Sequence, residues 1–322
     1  MPDVPPSSPS EVQALAALVA EARERISSHV VRTPCVPADE LLPGLRLKLE
    51  NEQHTGSFKL RGALNRILGL DTDQRAHGVL AASTGNHGAA VAFAAAQVGG
   101  QARIYAPTNA AGAKLATMRR AGAEVVLIGD ECLASERAAR ESAASTGQVY
   151  VSPYNDLLVV AGQGTLGAEL AEQVAGLETV YVAVGGGGLI SGVGAWLRTH
   201  CPGVDVVGCS PVASAAMVAA CAAGYEVEVH HRPTLSDGTA GGLEAGSITL
   251  PLCRAVVDRW VCVDEDAIAE AMRAVDRSHG LRIEGAAGVA LAVALAERPS
   301  GPSAVVICGG NLDPAIANSV FG

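Results

Sequence analysis

Aromatic side chains make up only 3% of this 322-residue chain, which favours close helix-on-sheet packing over aromatic stacking platforms. Basic clusters are missing too. Acids and bases are mixed along the sequence and the formal net charge is -10, so a phosphate backbone finds no electrostatic footprint and nucleic acid is excluded as a partner. No two of the eight cysteines form a C-x-x-C unit, which removes the zinc and redox motifs built on it and leaves reduced thiols in the cytosol as the simplest reading. The opening MPDVPPSSPS lacks the basic start and apolar run of a secretory signal. Residues 1–10 are therefore expected to be a disordered leader and the protein to be cytoplasmic. Long apolar runs are also absent. The most apolar window, residues 180–196, is broken by four glycines and is too short to span a bilayer.

What is present is an alternation of short apolar runs with helical stripes. With 49% hydrophobic and 17% charged residues, the chain can bury a large core. Ser10 starts a capping-box pattern, and Val12, Leu15, Leu18, Val19, Ala22 and Ile26 recur at helical spacing, which predicts a first helix over residues 11–27. Residues 78–82, 102–106, 124–128, 179–184, 205–209 and 303–308 read as buried strands with helical patterns between them. That order predicts an α/β fold of open, mostly parallel sheets flanked by helices, with ligands beyond the carboxyl ends of the strands. Residues 77–150 are expected to form a small inserted domain, and residues 11–76 with 151–322 a large one.

Four motifs fall at strand ends. Thr55-Gly56-Ser57-Phe58-Lys59 combines a glycine turn, a helix-capping serine and a lysine on the first turn, although a surface lysine on a capped helix would look the same. Ser83-Thr84-Gly85-Asn86-His87 gathers hydroxyls, an amide and backbone donors suited to a carboxylate or a phenolate oxygen, or else only caps its own helix. Gly185-Gly186-Gly187-Gly188-Leu189 lets backbone N–H groups approach a phosphate. A Walker loop would need Gly-Lys-Ser/Thr, and a dinucleotide fingerprint would need glycine at Ser191, so both fit less well. In Cys308-Gly309-Gly310-Asn311 the thiol either faces a pyridine nitrogen without protonating it or is a small buried hydrophobe, and Glu284 either faces the same site or caps the helix after it.

Together with Ala161-Gly162-Gln163-Gly164-Thr165, these motifs in this order resemble the pyridoxal-phosphate enzymes of the tryptophan-synthase-β fold type (fold type II), and among them the serine/threonine dehydratase and serine racemase family. The resemblance runs from about Val31 to the C-terminus. It implies a large and a small domain, pyridoxal 5'-phosphate as cofactor, a small amino-acid substrate and a homodimer. Lys59 would be the covalent anchor and then the base, Phe58 would pack on the cofactor ring, and Asn86 would meet its phenolate oxygen. The backbone of Gly185, Gly186, Gly187, Gly188 and Leu189 would cradle the phosphate, with Cys308 against the pyridine nitrogen and Glu284 close by. Ser83, Thr84, Gly85, Asn86 and His87 would hold the substrate carboxylate.

The implied activity is an ammonia-lyase that converts a small β-hydroxy amino acid, such as L-threonine or L-serine, to a 2-oxo acid and ammonia. Because Cys308 is not a carboxylate, elimination should prevail over transamination. A serine-type racemase is the alternative, since Thr84 stands where racemases keep the reprotonating serine hydroxyl. A hydroxyectoine-breakdown or hydroxyaspartate dehydratase is another, suggested by the Ser-Thr-Gly-Asn-His-Gly wording and Thr234-Leu235-Ser236-Asp237-Gly238. Two departures stand out. Residues 209–216 offer no carboxylate, so the divalent-cation site of the racemases is expected to be lost. Tyr154-Asn155 replaces the family's usual Pro-Asn, which leaves open which of the two side chains reaches the cofactor.

Overall fold

Segments such as Val79–Ala82 and Ser303–Ile307 are apolar at nearly every position, the pattern of strands covered on both faces. In the computed structural model, which describes residues 3–322, they lie at the centres of two sheets. The chain begins with α1 (Pro9–Ile26), β1 (Cys35–Pro37), β2 (Leu45–Leu49), α2 (Lys59–Leu68) and α3 (Thr72–His77). There follow β3 (Val79–Ala82), α4 (Asn86–Gln97), β4 (Ala102–Ala106), α5 (Gly112–Arg120), β5 (Glu124–Leu127), α6 (Cys132–Thr146) and β6 (Val149–Tyr150). The chain continues through α7 (Leu157–Gln173), β7 (Thr179–Ala183), α8 (Gly188–His200), β8 (Asp205–Pro211), α9 (Ala216–Ala223) and α10 (Thr249–Val256). It closes with β9 (Arg259–Val263), α11 (Glu265–His279), α12 (Gly285–Glu297), β10 (Ser303–Ile307) and α13 (Pro314–Phe321).

The six-stranded sheet has the order β1-β2-β10-β7-β8-β9 and is parallel except for β1, and the four-stranded sheet β5-β4-β3-β6 is parallel throughout. The smaller sheet draws all its strands from residues 79–150, which supports the division near 77 and 151 that we propose for the two domains. Helix α12 is buried from Gly285 to Ala294 and forms the centre of the main core.

Two expectations at the N-terminus are corrected. Ser8, not Ser10, caps the first helix, because Ser8 and Glu11 complete the reciprocal capping box and Pro9 fits the first helical position. Of the expected leader, residues 1 and 2 lie outside the described residues. From Asp3 onward the segment is exposed or half-buried but tied to the fold: the Val4 N–H donates to Gly224 O at 2.6 Å, and Arg254 pairs with Asp3 at 2.7 Å. Strands β1, β6 and β9 had no sequence signal. They are short or lie on an edge, where half-exposed residues blur the apolar pattern.

A buried ionic cluster fastens α2 to its surroundings. Arg61 donates to Glu50 at 2.8 Å and to Glu169 at 2.7 Å, and Lys48 reaches Glu169 at 2.5 Å and Thr33 O at 2.7 Å. Arg61, Glu50 and Lys48 are fully buried, so removing one partner strands a charge away from water. Arg61→Ala should lower unfolding free energy by about 3–5 kcal/mol, read as a fall in the urea midpoint of the purified protein. Close by, the Ala161–Thr165 motif serves helix packing and does not face the cavity described below. A Cβ on Gly162 would stand 2.5 Å from Arg61 O, and one on Gly192 would stand 2.3 Å from Val160 O, so glycine lets α2, α7 and α8 touch backbone to backbone.

Candidate active site

The carboxyl ends of β3, β7 and β10 open onto one cavity of about 250 Å³, and Phe58, Lys59, the Ser83–His87 loop, Gly185 to Leu189, Glu284 and Cys308 all lie in its wall. The segment before α2 is tied to the end of β10. Ser57 bridges to Gly309, the Phe58 N–H donates to Cys308 O at 3.0 Å, and the Gly310 N–H donates to Gly56 O at 3.0 Å. This pairing corrects the expected role of Ser57. Its hydroxyl makes no cap bond, it is buried without a partner, and the first helical residue is Lys59 itself. The strand-like bridge, rather than a cap, sets where the lysine emerges.

The chain has three lysines, Lys48, Lys59 and Lys114. Lys48 is paired with Glu169 and Lys114 with Asp237, whereas Lys59 forms no ion pair among the described residues and donates to Pro153 O at 3.0 Å. Burial away from water, opposed by the nearby Cys308 and Glu284, brings the Lys59 amine down to about 8. Far more of it is then neutral, and nucleophilic, near physiological pH than of an ordinary lysine. Capture of pyridoxal phosphate by cofactor-free protein should therefore quicken as pH rises and level off above about 8. An ordinary lysine would go on accelerating toward about 10.4. Stopped-flow absorbance separates the two curves.

Helix α4 starts at Asn86 with Gly85 as N-cap and no side-chain cap bond. The hydroxyls of Ser83 and Thr84 are thus not used on the helix end, and only the Ser83 oxygen accepts a local bond, from the Gly85 N–H at 3.1 Å. His87 points the other way, its Nε2 against Val151 O at 2.8 Å. Burial, followed by the charge of Lys59, drives its imidazole down to about 3, so it stays neutral.

After β7 the chain turns through Gly185 to Gly188, with φ of +82° at Gly187 where α8 begins. The first N–H groups of a helix have no partner within it and carry the positive end of its dipole, so this turn is an anion seat. Tyr154 is packed on it. A Cβ at Gly186 would lie 2.3 Å from the Tyr154 ring, and the Tyr154 hydroxyl accepts the Glu244 N–H at 2.8 Å. Of the pair Tyr154-Asn155, then, Tyr154 lines the cavity. Asn155 turns away, donating to Glu244 at 3.0 Å and accepting the Ile248 N–H at 2.9 Å.

Cys308, at the end of β10, is buried, and burial together with Glu284 pushes its thiol well above the ordinary cysteine value, so it stays protonated. Glu284 stands at the N-cap of α12, but its side chain makes no cap bond. Its carboxyl enters the cavity wall, which decides between the two roles that the sequence left open. Sequence reasoning missed the pair Lys114–Asp237, 2.7 Å long, which joins α5 of the smaller sheet's unit to the segment after α9 at the cavity wall. It also missed Arg140–Glu244, at 2.5 Å, which makes a second link of the same kind. Neither has a local motif, since the partners are more than a hundred residues apart in sequence.

A part-buried amine outside any ion pair, a glycine turn at a helix N-terminus, an amide donor, a neutral thiol and the Phe58 ring share one cavity. That donor set fits an aldehyde, a phosphate, a phenolate oxygen and a pyridine nitrogen carried by one ring. The fold and the site thus define a pyridoxal-phosphate enzyme of fold type II. The chain belongs to the family of pyridoxal-phosphate dependent enzymes, which it matches over residues 26–309. It is 41% identical to an L-threonine ammonia-lyase of Thermotoga maritima, over 83% of this chain and 67% of that protein. It is 33% identical to a serine racemase of Oryza sativa, over 92% of this chain and 90% of that protein. In structure it is similar to the processed threonine deaminase isoform 2 of Solanum lycopersicum, with a TM-score of 0.93, 28% identity and coverage of 99% of this chain and 89% of that one. The comparisons lend no support to the hydroxyectoine subgroup. Among the described residues, no helix is long and apolar enough to cross a membrane, and no group of three or more His, Cys, Asp or Glu could hold a metal ion.

Proposed function

We propose that the protein is an ammonia-lyase acting on a small β-hydroxy amino acid such as L-threonine or L-serine, releasing a 2-oxo acid and ammonia. The observation that carries this reading is the unpaired Lys59 amine in one cavity with the glycine turn and the Ser83–His87 loop. Pyridoxal phosphate, when bound, supplies an aldehyde carbon and an electron-accepting ring. Lys59 would hold that carbon, and its amine is the group placed to take the α-proton of the substrate. The first N–H groups of α8 and the turn before it would hold the phosphate, and Phe58 would pack against the ring. Ser83, Thr84 and the start of α4 receive the substrate carboxylate, which aims its α-carbon at Lys59. Cys308 keeps its proton and so would offer the pyridine nitrogen a neutral partner, a setting that favours prompt loss of the β-hydroxyl over amino transfer.

A second reading is racemisation, favoured by the Thr84 hydroxyl in the cavity wall, a position from which a proton could be returned to the opposite face. The similarity to threonine ammonia-lyases and to a serine racemase supports both activities. An amino-acid panel assayed for ammonia and 2-oxo acid, with chiral chromatography of the remaining substrate, separates them. Ammonia from L-threonine or L-serine supports the lyase, inversion without ammonia supports the racemase, and neither product from any member of the panel contradicts both. We further propose a cytoplasmic homodimer. Light scattering of the purified protein tests the oligomer, and a monomeric mass would overturn it.

A further inference from the structure

Glu284 is the one carboxyl group in the cavity wall that is fully enclosed, and it forms no ion pair among the described residues. The charged and titratable groups facing it come from five elements. Lys114 of α5 is committed to Asp237, Asp237 itself lies on the turn after α9, and the Lys59 ammonium of α2 is bound to Pro153 O. His87 of α4 is neutral and turned to Val151, and Cys308 follows β10. A buried carboxyl group without a cation must be held by hydrogen bonds or keep its proton. Here both of its oxygens accept from Asn86 Nδ2, at 3.1 and 2.9 Å, and Oε1 also faces the Cys308 thiol at 3.7 Å. Asn86 is fixed from its other end, where its Oδ1 accepts from Asn311 Nδ2 at 2.7 Å. The space for Glu284 is made by Gly309, on which a Cβ would stand 2.5 Å from Oε1.

Resting on the reading of this cavity as the pyridoxal-phosphate site, we propose that Glu284 is a positioning residue that couples Asn86 and Cys308, so that one proton equilibrium adjusts both groups facing the cofactor ring. When Glu284 is ionised it draws the Asn86 amide and the Cys308 thiol hydrogen toward itself. When it is protonated it gives up part of that hold, and both groups are freer to turn to the ring. Burial, the largest influence, raises the carboxyl to about 7, so the change falls within the working pH range. Gln at this position keeps an acceptor for Asn86 but cannot ionise, whereas Ala removes both contacts.

The test uses the holoenzyme of the wild type, Glu284→Gln and Glu284→Ala, with folding of each checked by circular dichroism. Its readouts are cofactor dissociation and the visible absorption of the bound cofactor titrated with pH. The wild type should show a spectral inflection near pH 7. Glu284→Gln should lose that inflection while holding the cofactor within a few-fold of wild type. Glu284→Ala should lose it too and release the cofactor about ten- to a hundredfold more readily. An unchanged inflection in Glu284→Gln would overturn the proposal even if the alanine variant failed to fold. Failure of the wild type itself to bind pyridoxal phosphate would instead remove the reading of the site, and the inference with it.

Discussion

Lys59→Ala should lower kcat/KM for the best amino-acid substrate by at least about 10⁴-fold, or about 5.5 kcal/mol of transition-state stabilisation, because anchor and base are lost together. No other lysine is placed to take over. Of the two remaining lysines, Lys48 is buried beside Glu169 outside the cavity wall, and Lys114 is held by Asp237. Lys59→Arg separates the amine from its charge. It keeps a cation of similar reach that cannot form an imine, so it should be as inactive as alanine. If arginine retained substantial turnover, Lys59 would be serving as an electrostatic contact and the proposed chemistry would be wrong. Partial recovery of Lys59→Ala by a small added primary amine, and none by a tertiary amine of similar basicity, is the matching positive result.

Gly186→Ala should weaken cofactor binding by about a hundredfold, roughly 2.7 kcal/mol. The added Cβ would lie between 2.3 and 2.5 Å from three carbons of the Tyr154 ring, far inside contact distance. The ring cannot simply swing aside, since its hydroxyl is held by the Glu244 N–H at 2.8 Å. The turn must give way, and the N–H groups at the start of α8 then point off the phosphate. This explanation names its own remedy. Adding Tyr154→Ala removes the obstacle, so the double variant should bind the cofactor more tightly than Gly186→Ala alone, a non-additivity expected only of residues in contact. Equal or weaker binding by the double variant would mean that Gly186 matters for another reason.

Much of the scaffold could be read from the sequence because its signals are local. Each of the six predicted strands has a counterpart among the observed ones, since a parallel strand covered on both faces is a continuous apolar run. The cavity was legible for a related reason. Ligand sites in such sheets gather at strand ends, and the motifs there carry glycine, amide, hydroxyl and lysine within a few residues of one another. What escaped is long-range. The Arg61–Glu50–Glu169–Lys48 cluster draws partners from β2, α2, α7 and the turn after β2, and the residues look like ordinary surface charges until the chain is folded. Tyr154 against Gly186 and Lys114 against Asp237 are contacts between segments with no shared pattern. Ser57 misled for a different reason. A serine two residues before a helix looks like a cap, but the bridge to Gly309 took over the job of fixing the chain.

Reduction of the cofactor-loaded protein with borohydride, followed by peptide mass mapping, tests the central claim with only three lysines to distinguish. A phosphopyridoxyl group on the peptide that contains Lys59, and on no other, is the result the account predicts. The label on Lys48 or Lys114, or no stable label after loading, would contradict it.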